Sequence, residues 1–270
     1  MAKLNIFTCA DSKYEDFAPI FIGACLWSNP EATVEVGVED ALRFADVHGQ
    51  AMSILASAHG DQSFLIRNAS WRGVGKRRIR PGTVRFITEP MLPSDYVYIS
   101  DIDIVTLEPE IANRHIAFMK RTGLPYSNWV RTGYKRLTGL HFSRRDWQYP
   151  LPKYDDFALS TMPDENLLYM LVRRKLGFDP PIGEKFRPVH GIHMSPNRAP
   201  GGSVKKGLVR PGWLVKPHSE SWHRFRSTRT FHDLEPHLSE RIKTFVARID
   251  ELAAVDLHDG SNAADLGLDS

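Results

Sequence analysis

Residues 96–105 read Tyr-Val-Tyr-Ile-Ser-Asp-Ile-Asp-Ile-Val, a buried-strand run that passes into two carboxylates, Asp101 and Asp103, set among apolar residues. An ionised carboxylate in apolar surroundings needs compensation. Two like charges this close call for a cation more strongly than for a single Lys or Arg, so a divalent metal is the natural candidate. Carboxylate oxygens with retained water suit Mg²⁺ or Mn²⁺.

The run also ends a series of alternating strands and helices. Leu4 to Cys9 reads as a strand and Tyr14 to Trp27 as an apolar helix; Thr33 to Val38 is a second strand. Ala41 to Ala58 has helical composition with a break expected at Gly49, Phe64 to Ile66 is a weak third strand, and Pro81 opens a short helix to Met91. Tyr96 to Ser100 is then a fourth strand. This alternation predicts an α/β fold with a largely parallel sheet, whose ligands bind beyond the carboxyl ends of the strands. Asp101 and Asp103 fall at that edge.

The second half is less regular: a helix at 111–121, a strand at 137–142, a helix at 164–176, a strand at 186–193 and a long loop at 195–219. Ile242, Phe245, Val246 and Ile249 lie on one face of a helix over 238–252, and 256–270 reads as a frayed tail. His190 and His193 stand at the end of the predicted strand 186–193. Side chains alternate along a strand, so residues at i and i+3 do not share a face, and one of the two at most is a ligand unless the strand has already ended. An imidazole joined to two carboxylates would favour Mn²⁺ over Ca²⁺.

The formal net charge of +3 is small for 270 residues and argues against a nucleic-acid partner. Basic residues cluster locally at Arg72 to Arg80 and, mixed with Trp213 and Trp222, at Lys205 to Arg229. Each is a solvated face or a site for phosphate or an anionic membrane. Two cysteines, Cys9 and Cys25, build neither a disulfide framework nor a metal-type pair, which fits a reducing compartment. Met1-Ala2-Lys3 leads straight into Leu4 to Phe7 and no run of 18 apolar residues occurs. A cytoplasmic protein is expected, with peripheral membrane contact through the basic carboxyl-terminal region as its one membrane association.

Tyr98 to Val105 resembles the D-x-D strand of GT-A glycosyltransferases, and further segments follow in the order of the glycogenin and LPS galactosyltransferase group, glycosyltransferase family 8. Asn5 to Tyr14 is similar to that family's first strand and the D-x-x-Y turn that holds the uridine, which brings in Thr8, Ala10, Asp11 and Tyr14. Arg85, sixteen residues before Asp101, matches the helix arginine that contacts the nucleotide. Leu137-Thr138-Gly139-Leu140-His141-Phe142 looks like the N-[ST]-G strand, and Pro163-Asp164-Glu165-Asn166 like the D-Q-D helix start. The family's H-x-x-G-x-x-K-P-W block is absent, so Arg198, Lys205 and Lys206 are the candidates for its diphosphate-binding base. Asn is missing before Thr138-Gly139, and Glu165 stands where Gln is usual.

The resemblance implies a GT-A fold: a Rossmann-like nucleotide-binding mixed sheet flanked by helices in a single compact domain. Residues 1–230 would form the catalytic domain, with 1–105 the nucleotide-binding half and 106–230 the acceptor and donor-sugar half; 231–270 would be a carboxyl-terminal helix and flexible tail. It further implies transfer of a sugar from a nucleoside-diphosphate donor, UDP-linked, to a glycan or lipid-linked acceptor with retention of configuration. Asp101, Asp103 and His193 or His190 would hold Mn²⁺ (or Mg²⁺), and Ile102 and Arg198 would join Arg85 around the nucleotide. Asp164 and Glu165 would bind donor-sugar hydroxyls or approach the anomeric centre.

Two other readings compete. Asp101-Ile102-Asp103-Ile104-Val105 formally fits the D-x-D-x-[TV] motif of haloacid-dehalogenase-type phosphatases, with Asp101 as nucleophile and Asp103 as acid/base. That motif normally ends the first strand of its domain, whereas here residues 4–95 precede it with their own β-α pattern. The third reading is a non-catalytic protein that only binds a sugar nucleotide or glycan. Trp129, Trp147, Tyr149, Trp213 and Trp222 offer a sugar-stacking platform, or simply core.

Overall fold

The computed structural model describes residues 2–71, 79–131, 135–154, 161–182, 190–200, 203–205, 208–210 and 213–258. Strand β1 (Leu4–Ala10) is buried along its whole length. Leu4, Ile6 and Ala10 enter one apolar cluster and Phe7 and Cys9 a second, so the strand is covered on both faces as a central parallel strand must be. After a single 3₁₀ turn, helix α1 (Ala18–Ser28) follows with ten of its eleven residues buried, which explains why it shows no polar face.

Strand β2 (Thr33–Val38) and helix α2 (Ala41–His59) come next. Asp40 caps α2, its Oδ1 accepting from the N–H groups of Leu42 and Arg43 at 3.0 Å. The helix runs unbroken through Gly49, where an added Cβ would touch nothing; the expected break is absent because that face is open to solvent. Strand β3 (Phe64–Asn68) precedes helix α3 (Pro81–Ile87), which ends four residues before the expected Met91 as Thr88 turns extended ahead of Pro90. Strand β4 (Tyr96–Ile99) then pairs in parallel with β1, opposite β2.

Beyond β4 a short strand β5 (Ile104–Thr106) leaves the main sheet, followed by α4 (Ile111–Thr122), β6 (Tyr126–Ser127), β7 (His141–Arg144), the single turn α5 (Arg145–Gln148) and α6 (Asp164–Leu176). β7 runs antiparallel to β4 and β6 antiparallel to β7. The main sheet therefore has six strands in the order β3-β2-β1-β4-β7-β6, mixed and mostly parallel. The expected strand 137–142 is only half realised: Leu137 forms an isolated bridge to Val130, and the continuous strand starts at His141.

Strand β8 (Gly191–His193) pairs antiparallel with β5, and β9 (Ser203–Lys205) with β10 (Leu208–Arg210). The expected loop 195–219 thus holds a hairpin; residues 186–189 of the expected strand 186–193 lie outside the described residues. Helices α7 (Ser219–Arg226), α8 (Arg229–Leu234) and α9 (Glu240–His258) complete the chain. Ile242, Val246, Ile249 and Ala253 of α9 share the apolar cluster of β1 and α1, so this helix is built into the main core. Of the expected tail 256–270, residues 256–258 continue α9 and the rest lies outside the described residues. No helix among them is long and apolar enough to cross a membrane.

Candidate functional site

At the carboxyl ends of β1 and β4 lies a cavity of about 300 Å³, the lower end of the range for small-molecule sites. Five separate segments build it. The β1–α1 turn contributes Ala10, Asp11 and Tyr14; α3 contributes Gly82 and Arg85; the β4–β5 turn contributes Asp101, Ile102 and Asp103; and Asp164 and His193 enter from α6 and β8. Larger depressions exist, among them one of about 600 Å³ at the amino end of β4, but the arginines that line it, Arg144 and Arg145, are already paired with Asp146 and Glu89.

The Ile104 N–H donates to the Asp101 carbonyl at 3.2 Å, closing a four-residue turn that bends both carboxylates of the D-x-D into the cavity. His193 stands opposite Ile104 in the β5–β8 ladder, and the Met194 N–H donates to the Asp103 carbonyl at 2.8 Å. His193 Nε2 consequently lies 3.1 Å from Asp103 Oδ1. One ligand atom from each of Asp101, Asp103 and His193 falls within 4.8 Å of the other two, and two carboxylates with an imidazole are a donor set suited to a divalent ion such as Mn²⁺.

Arg85 is buried and its guanidinium pairs with Asp101, with Asp164 Oδ2 at 3.7 Å. Burial works against its charge, but Asp101 and Asp164 more than offset that and hold it above the ordinary guanidinium value. A single arginine therefore balances one of the two carboxylates, a partner the sequence argument had not assigned to them. Two glycines permit this packing. A Cβ on Gly139 would come within 2.9 Å of the Arg85 guanidinium, and one on Gly82 within 2.7 Å of Asp164 Oδ2. Gly82 in the first turn of a helix, where glycine weakens the helix, is a signal the sequence reading passed over.

Tyr14 lies on the turn closed by its own N–H to the Asp11 carbonyl at 2.9 Å, and its hydroxyl accepts from Asn197 Nδ2 at 3.4 Å. Burial and the nearby Asp103 push its phenol upward, so it stays protonated. Arg241 of α9 donates to the Lys13 carbonyl at 2.6 Å and lies over the Tyr14 ring, bracing the turn from behind. Cys9 lines the wall, but burial pushes its thiol up to about 12, so it offers no nucleophile at neutral pH.

Several expected residues stand apart. His190 is fully buried, with Nδ1 2.6 Å from Glu108 and Nε2 2.8 Å from His115, so neither ring nitrogen is directed at the carboxylates. Glu165 turns from the cavity to Arg131 at 2.8 Å and Arg136 at 3.7 Å. Thr8 is fully buried within β1, and Arg198 is half-buried in the 194–200 loop outside the cavity lining. Lys206 lies outside the described residues. Tyr149, Trp213 and Trp222 are core, and Trp147 stacks on Tyr126 at 5.6 Å, so these aromatics form no common platform.

Asn128 was not foreseen. Its Oδ1 accepts from the Thr138 N–H at 3.1 Å and hydroxyl at 2.7 Å, and its Nδ2 donates to the Thr138 carbonyl at 3.1 Å. It thereby fixes the segment that presses Gly139 against Arg85.

No family model matches the chain, and no curated protein sequence does. Among solved structures it is similar to the mannosyltransferase PcManGT from Pyrobaculum calidifontis, in complex with GDP-Man and Mn²⁺, at 10% identity over 98% of this chain and 76% of that one with a TM-score of 0.46. It is similar to CMP:2-keto-3-deoxy-manno-octonic acid synthetase complexed with CTP at 13% identity, over 66% and 88% of the two chains, TM-score 0.39. With the glycosyltransferase GlyE of Streptococcus pneumoniae TIGR4 it shares 9% identity over 54% of its length, TM-score 0.37, and spans about a third of that chain, 35%.

Proposed function

We propose that this chain is a metal-dependent glycosyltransferase that moves a sugar from a nucleoside-diphosphate sugar, UDP-linked, to a glycan or lipid-linked acceptor with retention of configuration. One observation carries the reading. Four segments distant in sequence, the D-x-x-Y turn, the Arg85 helix, the D-x-D turn and the His193 strand, contribute to one cavity at the carboxyl edge of the sheet.

Asp101, Asp103 and His193 would hold Mn²⁺ or Mg²⁺, which when bound neutralises negative charge developing on the diphosphate as it leaves. Arg85 sits beside this cluster and supplies a fixed positive charge for a phosphate oxygen, its orientation set by Asp164 and Gly139. Asp11 and Tyr14 line the same cavity, where the carboxylate would accept from a base or ribose donor and the ring would cover the base. Asp164, beside Arg85 and with its Oδ1 accepting the Glu165 N–H at 2.9 Å, would orient hydroxyls of the donor sugar. Asn197 donates to the Tyr14 hydroxyl at 3.4 Å and so ties the 194–200 loop to a residue of the cavity wall, where it would help exclude water from the donor.

The phosphatase reading is less well supported: the Asp101 oxygen that would attack is held by Arg85, and Asp101 follows the fourth strand in sequence. Replacing Asp101 and Asp103 together by Ala is expected to abolish Mn²⁺-dependent UDP binding measured by calorimetry; binding equal to the parent protein would contradict the metal assignment. Product stereochemistry by NMR tests retention.

A further inference from the structure

The strand that presents His193 is three residues long, and so is β5, its one ladder partner among the described residues. Two short paired strands are marginal by themselves, and a slip of one residue would put Ile192 or Met194 where His193 stands. Something beyond the ladder must fix the register.

A buried chain of side chains does so. His190, one residue before β8, reaches Glu108 with Nδ1 at 2.6 Å and His115 of α4 with Nε2 at 2.8 Å, and His115 Nδ1 lies 2.8 Å from the Ser127 hydroxyl in β6. The other Glu108 oxygen pairs with Arg114. The backbone joins in, as the N–H groups of Leu107 and Glu108 donate to the His190 carbonyl at 2.8 and 3.0 Å. His115 stacks on Phe142 with ring centroids 4.6 Å apart, and Tyr98 packs against both imidazoles.

The proton order is determined by elimination. Burial pushes His190 down to about 3 and His115 well below its ordinary value, so both rings are neutral. An ionised Glu108 only accepts, so His190 Nδ1 carries the proton and its Nε2 accepts from His115 Nε2–H; His115 Nδ1 then accepts from the Ser127 hydroxyl. Each ring nitrogen has one partner of the right kind.

We infer that Glu108, His190 and His115 are positioning residues whose hydrogen-bonded chain locks β8 onto β5 and so delivers His193 to Asp101 and Asp103. This rests on the metal-site reading above. The test is the Mn²⁺ dissociation constant in the presence of UDP, followed by the loss of the free-ion EPR signal, with folding checked by circular dichroism. His190→Leu and Glu108→Ala are each expected to weaken Mn²⁺ binding by about tenfold, the low end of what outer-shell partners contribute. His190→Gln, whose amide can donate to Glu108 and accept from His115, is expected to restore it.

Glu108 is partly exposed, so Glu108→Ala remains informative if His190→Leu does not fold. A purely structural role would lower the melting temperature and leave the Mn²⁺ affinity of the folded protein unchanged; that result overturns the inference. If the parent protein itself binds no Mn²⁺, the metal reading fails and this inference with it. Parent-like binding by folded Glu108→Ala, with Mn²⁺ binding intact in the parent, removes only the positioning role.

Discussion

Gly191→Ala probes the join between the two halves of the site. A Cβ at residue 191 would sit 1.8 Å from the Val105 carbonyl oxygen, 2.7 Å from its carbon and 2.9 Å from the Thr106 Cα, all backbone atoms that no rotamer change can move. Restoring ordinary contact at about 3.5 Å requires the strands to part by roughly 1.5 Å. At that separation a 2.9 Å hydrogen bond is lost. Val105 and Ile192 are fully buried, so the freed groups find no water. Two such bonds, each costing on the order of 1–3 kcal/mol when broken in a buried setting, give a loss of about 3 kcal/mol. For a chain of this length that lowers the melting temperature by about 6–9 °C. The same displacement separates His193 from Asp103, so Mn²⁺ binding weakens too. Gly49→Ala is the control: its Cβ meets nothing and it lies inside α2, so a gain of roughly 0.5–1 kcal/mol is expected. Differential scanning fluorimetry with and without Mn²⁺ reads both. A Gly191→Ala protein that melts and binds metal like its parent would refute the steric argument.

Asn128→Ala takes the Asn128 partner from the buried Thr138 N–H and carbonyl, while the Thr138 hydroxyl keeps its bond to the Leu140 carbonyl at 3.1 Å, and a loss of about 3 kcal/mol is expected in urea unfolding, together with weaker nucleotide binding. Acidification is expected to destabilise the fold. His48, His59, His115, His141 and His190 are all held below their ordinary value of about 6.5, mainly by burial, so below that pH the unfolded chain binds more protons than the folded one. Stability is therefore lost as pH falls through 6.5 toward each folded value. His141, lowered to about 4, alone accounts for about 3 kcal/mol by pH 4. Urea midpoints at pH 7, 6 and 5 check the sign; a midpoint that holds or rises on acidification contradicts it.

The first half of the chain was legible because β1, β2 and β4 are buried along almost their whole length, with β-branched and aromatic runs such as Thr33 to Val38 and Tyr96 to Ile99, and because polar breaks separate them from the helices. In the second half the helices expected at 111–121, 164–176 and 238–252 were legible too, but the strands were not. β5 and β6 are three and two residues long, too short to show a period, and β7 takes up polar Ser143 and Arg144, while its apolar neighbours Leu137 and Leu140 lie before it. The helices over 219–234 carry many His, Arg and Ser, so their two- and three-residue apolar contacts, Trp222 with Phe225 and Phe231 with Leu234, were hidden in a basic stretch. Among site residues, the D-x-D, Asp11, Tyr14 and Arg85 were placed by motif and do line one cavity. His190 and His193 could not be told apart by spacing; it took the pairing of β8 with β5 and the Glu108 contact to separate them. Asn128 escaped notice because it acts ten residues away on the segment it fixes.

The central claim is most directly tested by incubating the protein with a panel of nucleotide sugars, with Mn²⁺ or with a chelator, and measuring the nucleoside diphosphate released. The account predicts release of UDP from at least one UDP-sugar, dependent on the metal and lost on Asp103→Ala. Release from no nucleotide sugar under any condition, with hydrolysis of a generic phosphate ester instead, would contradict it and favour the phosphatase reading.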